Sequence, residues 1–373
     1  MAFFGTPNSF LGIDIGTSSL KLVELVDRRK RFEISTYAQA NIPNLLINPK
    51  EGQADTAISR IASTLSRMIE LSGVSTDIVI AALPSTTVFS SLLTMPPLPD
   101  QEMDKAVRFA ARDVVPADIN EMVLGWSKVA AEPHMETDAL MNQSPAAAMP
   151  TPGVGLGGGN AKVPVFLTAA PKAVVDRYIR VMDILHLKIF ALEVETFPLV
   201  RSLLSSAQDS ALLVDIGDRA TVFHIVDRGT PRVSHTMEYG GYDITDRIAK
   251  DMGISRAEAE AQKVRYGLDK NAPAPLQAAI EEAVKVQTQK AQSLLNLYQT
   301  KENRKISRSL LIGGGAGLKG LPDYWGIFLG HSTTIGNPWK GLSYPQGLEG
   351  RLNELAPTYG VAVGLALRGF KGQ

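Results

Sequence analysis

One pattern occurs twice in this chain and limits what it can fold into. Phe10-Leu-Gly-Ile-Asp-Ile-Gly and Ala211-Leu-Leu-Val-Asp-Ile-Gly are both apolar strands that end in Asp, Ile and a glycine turn. Small hydroxyl residues follow the first copy, and each copy leads into another alternating strand: Leu20-Lys-Leu-Val-Glu-Leu-Val after the first, and 220–227 after the second. A duplicated strand–Asp–x–Gly unit implies two related lobes, with the two aspartates facing each other across a cleft. The 373 residues are enough to give each lobe its own core.

The pattern around the repeats predicts an α/β protein. Residues 54–71 set Ile58, Ile61, Ala62, Leu65, Met68 and Ile69 on one helical face, and 77–83 read as a strand closed by Pro84. Between 85 and 192 the order is strand (88–95), helix (101–114), two strands (122–129 and 163–170) and helix (172–185). The segment 131–161 is rich in Pro, Ala, Met and Gly and reads as a disordered loop within that block. Strand 232–238 and helices 243–252, 255–266 and 276–304 follow the second repeat; the apolar seam of the longest helix reads as core. The domain reading is a first lobe at 1–84, an inserted subdomain at 85–192, a return to the first lobe at 193–210, and a second lobe at 211–373.

Composition excludes several functions. There is no cysteine, which removes disulfides and thiolate chemistry. Lys plus Arg, 38, equals Asp plus Glu, 38, so no global field favours nucleic acid or an anionic membrane. The five histidines lack the spacing of a metal cage. The start lacks the layout of a signal peptide, and the longest apolar run, 359–367, is under half the roughly 20 residues of a membrane span. The expected location is the cytoplasm, with any membrane contact made through a partner.

A nucleotide held between two lobes needs backbone amides and hydroxyls in tight turns for its phosphates, and carboxylates near its magnesium. Asp14-Ile-Gly16-Thr17-Ser18, with Lys21 on the next strand, supplies one half; Asp215-Ile-Gly217 with Thr221 supplies the other. Gly313-Gly314-Gly315-Ala, after the strand 309–312, lets a flat adenine lie against backbone. A single Asp-x-Gly is ordinarily just a turn; three such pieces in this order, each at a strand end, point to one site.

Together these residues resemble the actin-like ATPases, which include actin, sugar kinases and FtsA. Asp14 to Ser18 with Lys21 is similar to the family's first phosphate motif and Asp215, Gly217 and Thr221 to the second. Gly313 to Gly315 is similar to its adenosine motif, and 357–367 to its second connecting helix. Tyr239-Gly240-Gly241-Tyr-Asp-Ile-Thr resembles a glycine pair of the FtsA and PilM group, and 259–268 a helix whose Glu and Lys approach ribose and base, here Glu260 and Lys263. The block at 85–192, opening with Leu83-Pro-Ser-Thr-Thr-Val-Phe and Met95-Pro-Pro-Leu-Pro, resembles the strand-helix-strand-strand module of the same group. The chain ends in Leu367-Arg-Gly-Phe-Lys-Gly-Gln, too short and polar for the membrane helix of FtsA, which favours the PilM side.

The resemblance implies a two-lobed actin-like fold with that inserted subdomain and a cytosolic ATP-binding scaffold for type IV pilus assembly. It implies ATP and Mg²⁺ as cofactors, with Asp14 and Asp215 holding the metal through water. The implied partner is the N-terminal cytoplasmic peptide of a PilN-like membrane protein, and self-association is left open. Glu195 is the candidate for positioning a hydrolytic water in what is at most a slow ATPase. Asp218 and Arg219 depart from the motif, where a small residue is expected. The alternatives are an FtsA-like division filament and a small-molecule kinase.

Overall fold

Nearly continuous burial along the first two strands starts a sheet that the second repeat then builds again. The computed structural model describes residues 7–42, 54–128, 162–206 and 208–370. The segment read as a loop, 131–161, lies outside them.

The first sheet is ordered β3-β2-β1-β4-β8, from β1 (Ser9–Ile15), β2 (Ser19–Asp27), β3 (Phe32–Asn41), β4 (Ile78–Leu83) and β8 (Lys188–Val194). The second is ordered β11-β10-β9-β12-β13, from β9 (Ala211–Ile216), β10 (Thr221–Asp227), β11 (Thr230–Met237), β12 (Arg308–Ile312) and β13 (Ser332–Ile335). Both sheets use the same plan: an antiparallel meander of three strands, then two parallel strands added on the other side of the first. The duplication seen in the sequence is therefore a duplication of topology.

Helices cover the faces of these sheets. α1 (Ala54–Ser72) and α3 (Lys172–Ile184) pack on the first sheet, where Leu65 and Met68 share a core with Tyr178, Val181 and Met182. α5 (Gly241–Met252), α6 (Arg256–Tyr266) and α7 (Ala274–Glu302) cover the second, and α7 buries Leu276, Ile280, Val284, Leu295 and Tyr298 along its seam. Two helices join the sheets: α4 (Thr196–Leu203) and α8 (Gly360–Arg368) put Leu199, Val361 and Leu365 into one core with Phe10 and Ile80 of the first sheet and Leu213 and Ile312 of the second. These helices approach backbone to backbone. A Cβ on Gly364 would overlap the Pro198 carbonyl, and one on Gly12 the Ala362 carbonyl. Arg201 fixes the arrangement with two 3.0 Å bonds to Glu193 and a 2.6 Å bond to the Gly364 carbonyl.

Residues Ser90–Ala169 form a second compact unit. It holds a three-stranded sheet ordered β5-β7-β6, from β5 (Phe89–Met95), β6 (Met122–Lys128) and β7 (Val163–Pro171), with α2 (Asp100–Val114) placed after β5. Met103, Val107 and Ala111 give α2 its buried stripe. This is the strand-helix-strand-strand order expected, over a shorter span than 85–192. The difference has a physical cause: β8 pairs in parallel with β4 (Ile78↔Lys188 to Leu83↔Val194), and α3 fills the core of the first sheet, so both belong to that sheet's body.

Candidate functional site

The β1–β2 and β9–β10 hairpins turn the same way. The Gly16 amide donates to the Ser19 carbonyl at 3.0 Å, and the Gly217 amide to the Ala220 carbonyl at 2.9 Å. Asp14 sits opposite Lys21 across the first hairpin, and the Lys21 ammonium lies 3.4 Å from the Asp14 carboxylate and 2.9 Å from the Ser19 hydroxyl. Asp215 sits opposite Val222.

A third turn crosses over the second. Gly313, at φ +82°, could carry no side chain: a Cβ would overlap the Asp215 carboxylate, and one on Gly315 would overlap the Ile216 side chain. Gly314 and Gly317 face open space. The start of α5 is sewn to the second turn, since the Gly241 amide donates to the Gly217 carbonyl (2.9 Å) and the Tyr242 amide to the Asp218 carbonyl (2.8 Å).

Together these elements line a cleft of about 980 Å³. It gathers Asp14, Gly16, Thr17, Ser18, Lys21, Glu195, Asp215, Gly217, Gly241, Glu260, Lys263, Gly313, Gly314 and Gly315 from both sheets. Two expected site residues lie elsewhere. Thr221 is fully buried, donates to the Tyr239 carbonyl at 2.7 Å and accepts from the Gln287 amide at 2.7 Å. Its hydroxyl is used up in the core of the second lobe. Gly240 is spaced for packing, because a Cβ there would lie 2.5 Å from the Asp218 carbonyl oxygen.

The Lys263 ammonium makes three bonds within the protein, to the Glu260 carboxylate (2.8 Å), the Thr245 hydroxyl (2.7 Å) and the Gly241 carbonyl (3.2 Å). An ammonium has three donors. Lys263 thus orients Glu260, which also accepts from Thr245. Thr245 was legible as the last residue of the glycine-pair motif but was not singled out there.

Glu195 reaches the cleft from the β8–α4 junction and accepts from the Ser85 amide at 2.9 Å. Its neighbour Thr196 is buried against His224 of β10 at 3.2 Å, and Ser234 of β11 shares the same ring nitrogen at 3.0 Å. Burial pushes His224 down to about 4, which keeps it neutral. Burial, then the charges of Asp215 and Asp14, push the Glu195 carboxyl up to about 7. Asp215 is pushed up to about 6 by burial and Asp14, with Lys21 pulling the other way. The Tyr178 hydroxyl, buried and without a hydrogen-bond partner, is raised by burial and by Glu195 and Asp14.

Asp218 and Arg219, the departures from the motif, form a 3.5 Å pair at the cleft wall. Two guanidiniums, of Arg219 at 3.7 Å and Arg256 at 3.6 Å, lie over the Tyr242 ring. Sequence reasoning missed Tyr242 and Arg256; only folding sets α5 beside the N-terminus of α6.

The residues present fit the phosphates of a nucleotide: the cleft has the size of a small-molecule site, two glycine turns and an open glycine at Gly314 line it, and Lys21 stands in it beside Asp14. Among the described residues, no group of three or more acidic or histidine side chains is close enough to hold a metal ion by itself.

A family model described as type IV pilus assembly protein PilM matches residues 12–148 and 157–370. Cell division protein FtsA of Streptococcus pneumoniae serotype 2 (strain D39 / NCTC 7466) is 22% identical over 283 residues, 69% of this chain and 56% of FtsA. The chain thus spans little more than half the length of that relative. Among solved structures, a PilM–PilN type IV pilus biogenesis complex matches with a TM-score of 0.79 and 23% identity over 98% of this chain and 100% of the other. The ethanolamine utilization protein EutJ from Carboxydothermus hydrogenoformans matches with a TM-score of 0.54 and 14% identity, covering 97% and 90% of the two chains. A non-polymerising MamK mutant bound to AMPPNP matches with a TM-score of 0.50 and 11% identity, covering 98% and 100%. At these identities the structural likenesses establish the actin-like fold. Among the described residues, no helix is long and apolar enough to cross a membrane.

Proposed function

This chain belongs to the PilM family of type IV pilus assembly proteins, and from that premise we propose that it is an ATP-binding scaffold that captures the N-terminal cytoplasmic peptide of a PilN-like protein. The observation that carries the reading is the single cleft into which both sheets send an Asp–x–Gly turn. A ligand touching both turns holds the sheets in one arrangement, and that arrangement is the one the peptide selects. The partner is suggested by the PilM–PilN complex, whose fold this chain shares.

ATP–Mg²⁺ would supply a chain of phosphates and a divalent charge to a floor that otherwise concentrates carboxylates. Asp14 and Asp215 would hold the metal through water; Thr17, Ser18 and the open turn at Gly314 would face the phosphates and nucleoside. Glu260, oriented by Lys263, would accept from a ribose hydroxyl. Glu195 would orient water. Its carboxyl, at about 7, stands near neutral pH, the range in which a group can pass a proton to and from water.

The test uses nucleotide-free full-length chain. ATP–Mg²⁺ at a hundredfold excess over its dissociation constant should stabilise the fold by roughly 2.7 kcal/mol. Asp14→Ala should weaken both nucleotide binding and capture of the partner peptide, measured by calorimetry, whereas Glu195→Ala should slow hydrolysis and leave capture intact. Absence of any thermal shift with the wild type would end the nucleotide reading. Equal loss of capture in both variants would tie binding to turnover and end the scaffold reading. The FtsA likeness supports a second reading, a filament; ATP-dependent sedimentation of the chain alone would favour it.

A further inference from the structure

We propose that the side-chain amide of Asn41, held in place by Gln39, binds the terminal phosphate of a nucleoside triphosphate; this rests on the nucleotide reading above. Both residues stand at the end of β3 and line the cleft, although neither belongs to a turn motif. Strand register puts them there. Asp14 pairs with Lys21 and Lys21 with Gln39, while Ser19 pairs with Asn41. Residues directly opposite one another share a face of the sheet, so the row that begins at the Asp14 carboxylate continues through an ammonium to an amide. The end of β3 is also tied to the first turn, because the Ile42 amide donates to the Ser18 carbonyl at 2.8 Å. Neighbouring strands lie about 4.8 Å apart, which leaves Asn41 within side-chain reach of a group bound at that turn. Thr17, Ser18 and Asn41 thus form one rim of two hydroxyls and an amide along the first sheet's side of the cleft.

The amide pair has a direction. Gln39 Nε2 donates to Asn41 Oδ1 at 3.2 Å. Gln39 lies two residues back along β3, so the oxygen of Asn41 points back along the strand and its two N–H donors point onward, to the end where the turn lies. Phosphate oxygens only accept hydrogen bonds, and in this orientation Asn41 offers them only donors. Lys21, between the Asp14 carboxylate and the Ser19 hydroxyl, brings positive charge one strand away. The run of the ligand agrees. A ribose at Glu260 and a nucleoside at Gly314 begin on the second sheet's side, and successive phosphates then pass the Gly217 turn and the Gly16 turn. The last of three meets the rim at Asn41; a diphosphate ends before it.

The experiment measures the affinities of full-length wild type, Asn41→Ala, Asn41→Asp and Gln39→Ala for AMPPNP and ADP by calorimetry, with magnesium present. AMPPNP keeps its terminal phosphate throughout the titration. Melting temperatures without nucleotide confirm that each variant is folded. Asn41→Ala should weaken AMPPNP by about tenfold or more, the scale of one hydrogen bond to a charged group, and ADP by less than about threefold. Asn41→Asp keeps the shape but sets a negative charge against the phosphate, so its loss of AMPPNP should exceed that of Asn41→Ala. Gln39→Ala leaves the Asn41 amide in place but unheld and should give a smaller, still AMPPNP-selective loss. An equal loss of AMPPNP and ADP in Asn41→Ala, no loss in Asn41→Asp, or a larger loss in Gln39→Ala than in Asn41→Ala would each overturn the assignment. A wild type that binds neither nucleotide would overturn it together with the reading it rests on; a wild type that binds both, beside an unaltered Asn41→Asp, would overturn it alone.

Discussion

The two hairpin turns have one backbone and two electrostatic characters. In each, a glycine amide closes onto a carbonyl three residues on, at 3.0 Å in the first and 2.9 Å in the second, and a Cβ on either glycine would lie 3.0 Å from that carbonyl. The difference lies across the hairpin. Asp14 faces Lys21, whereas Asp215 faces Val222 and keeps a carboxyl pushed up to about 6. One turn arrives neutralised and the other in need of a counter-charge. A duplicated fold can therefore divide work between its halves, with the first holding itself together and the second depending on what enters the cleft.

The sharpest way to break this comparison is to neutralise each aspartate in turn. Asp14→Asn should destabilise the nucleotide-free protein by about 1–3 kcal/mol at pH 8, because the nearly buried Lys21 then keeps only the Ser19 hydroxyl and the charge of Asp215. Asp215→Asn should act in the opposite direction. A carboxyl whose pKa is raised from 3.8 to about 6 binds a proton in the folded state that the unfolded chain has released. The stability it contributes is complete below pH 3.8 and is lost as pH rises through about 6. Removing that charge should therefore stabilise the apo fold by roughly 1–3 kcal/mol at pH 8 and do little at pH 4. Denaturant melts at both pH values decide it, and changes of the same sign at pH 8 would dissolve the contrast.

A smaller effect tests the placement of Thr221. Thr221→Val leaves the Gln287 amide and the Tyr239 carbonyl without their shared partner and should cost about 1–3 kcal/mol of stability, with ATP affinity unchanged. A selective loss of affinity would return Thr221 to the site. The smallest effect is the coupling by which the charge of Asp215 helps raise the Glu195 carboxyl. At pH 8 the stabilisations from Glu195→Gln and Asp215→Asn should fall short of additive by about 0.5–1 kcal/mol in a double-mutant cycle. Full additivity would mean the two carboxylates do not share one floor.

Much of the molecule was legible because it is written in short-range pattern. Strand–Asp–Ile–Gly, the apolar stripe of α1, the seam of α7 and the glycine run at Gly313 each depend on residues within a few positions. The limits of the inserted unit were less so, since α3 and β8 owe their allegiance to partners about a hundred residues away in α1 and β4. The same holds for Tyr242 and Arg256, whose chemistry exists only once α5 and α6 are folded together.

The sequence by itself determined a duplicated α/β fold, the three turns that meet at one cleft, and the residues those turns carry. Tertiary structure decided which of those residues face the cleft and what charge they bear there. It turned Thr221 into the core, spent the Lys263 ammonium inside the protein, and brought Glu195 from the β8–α4 junction beside two aspartates on different sheets. The physical reason is range. Backbone preference and hydrophobic periodicity act between near neighbours, whereas desolvation and Coulomb interaction sum over everything that folding brings close.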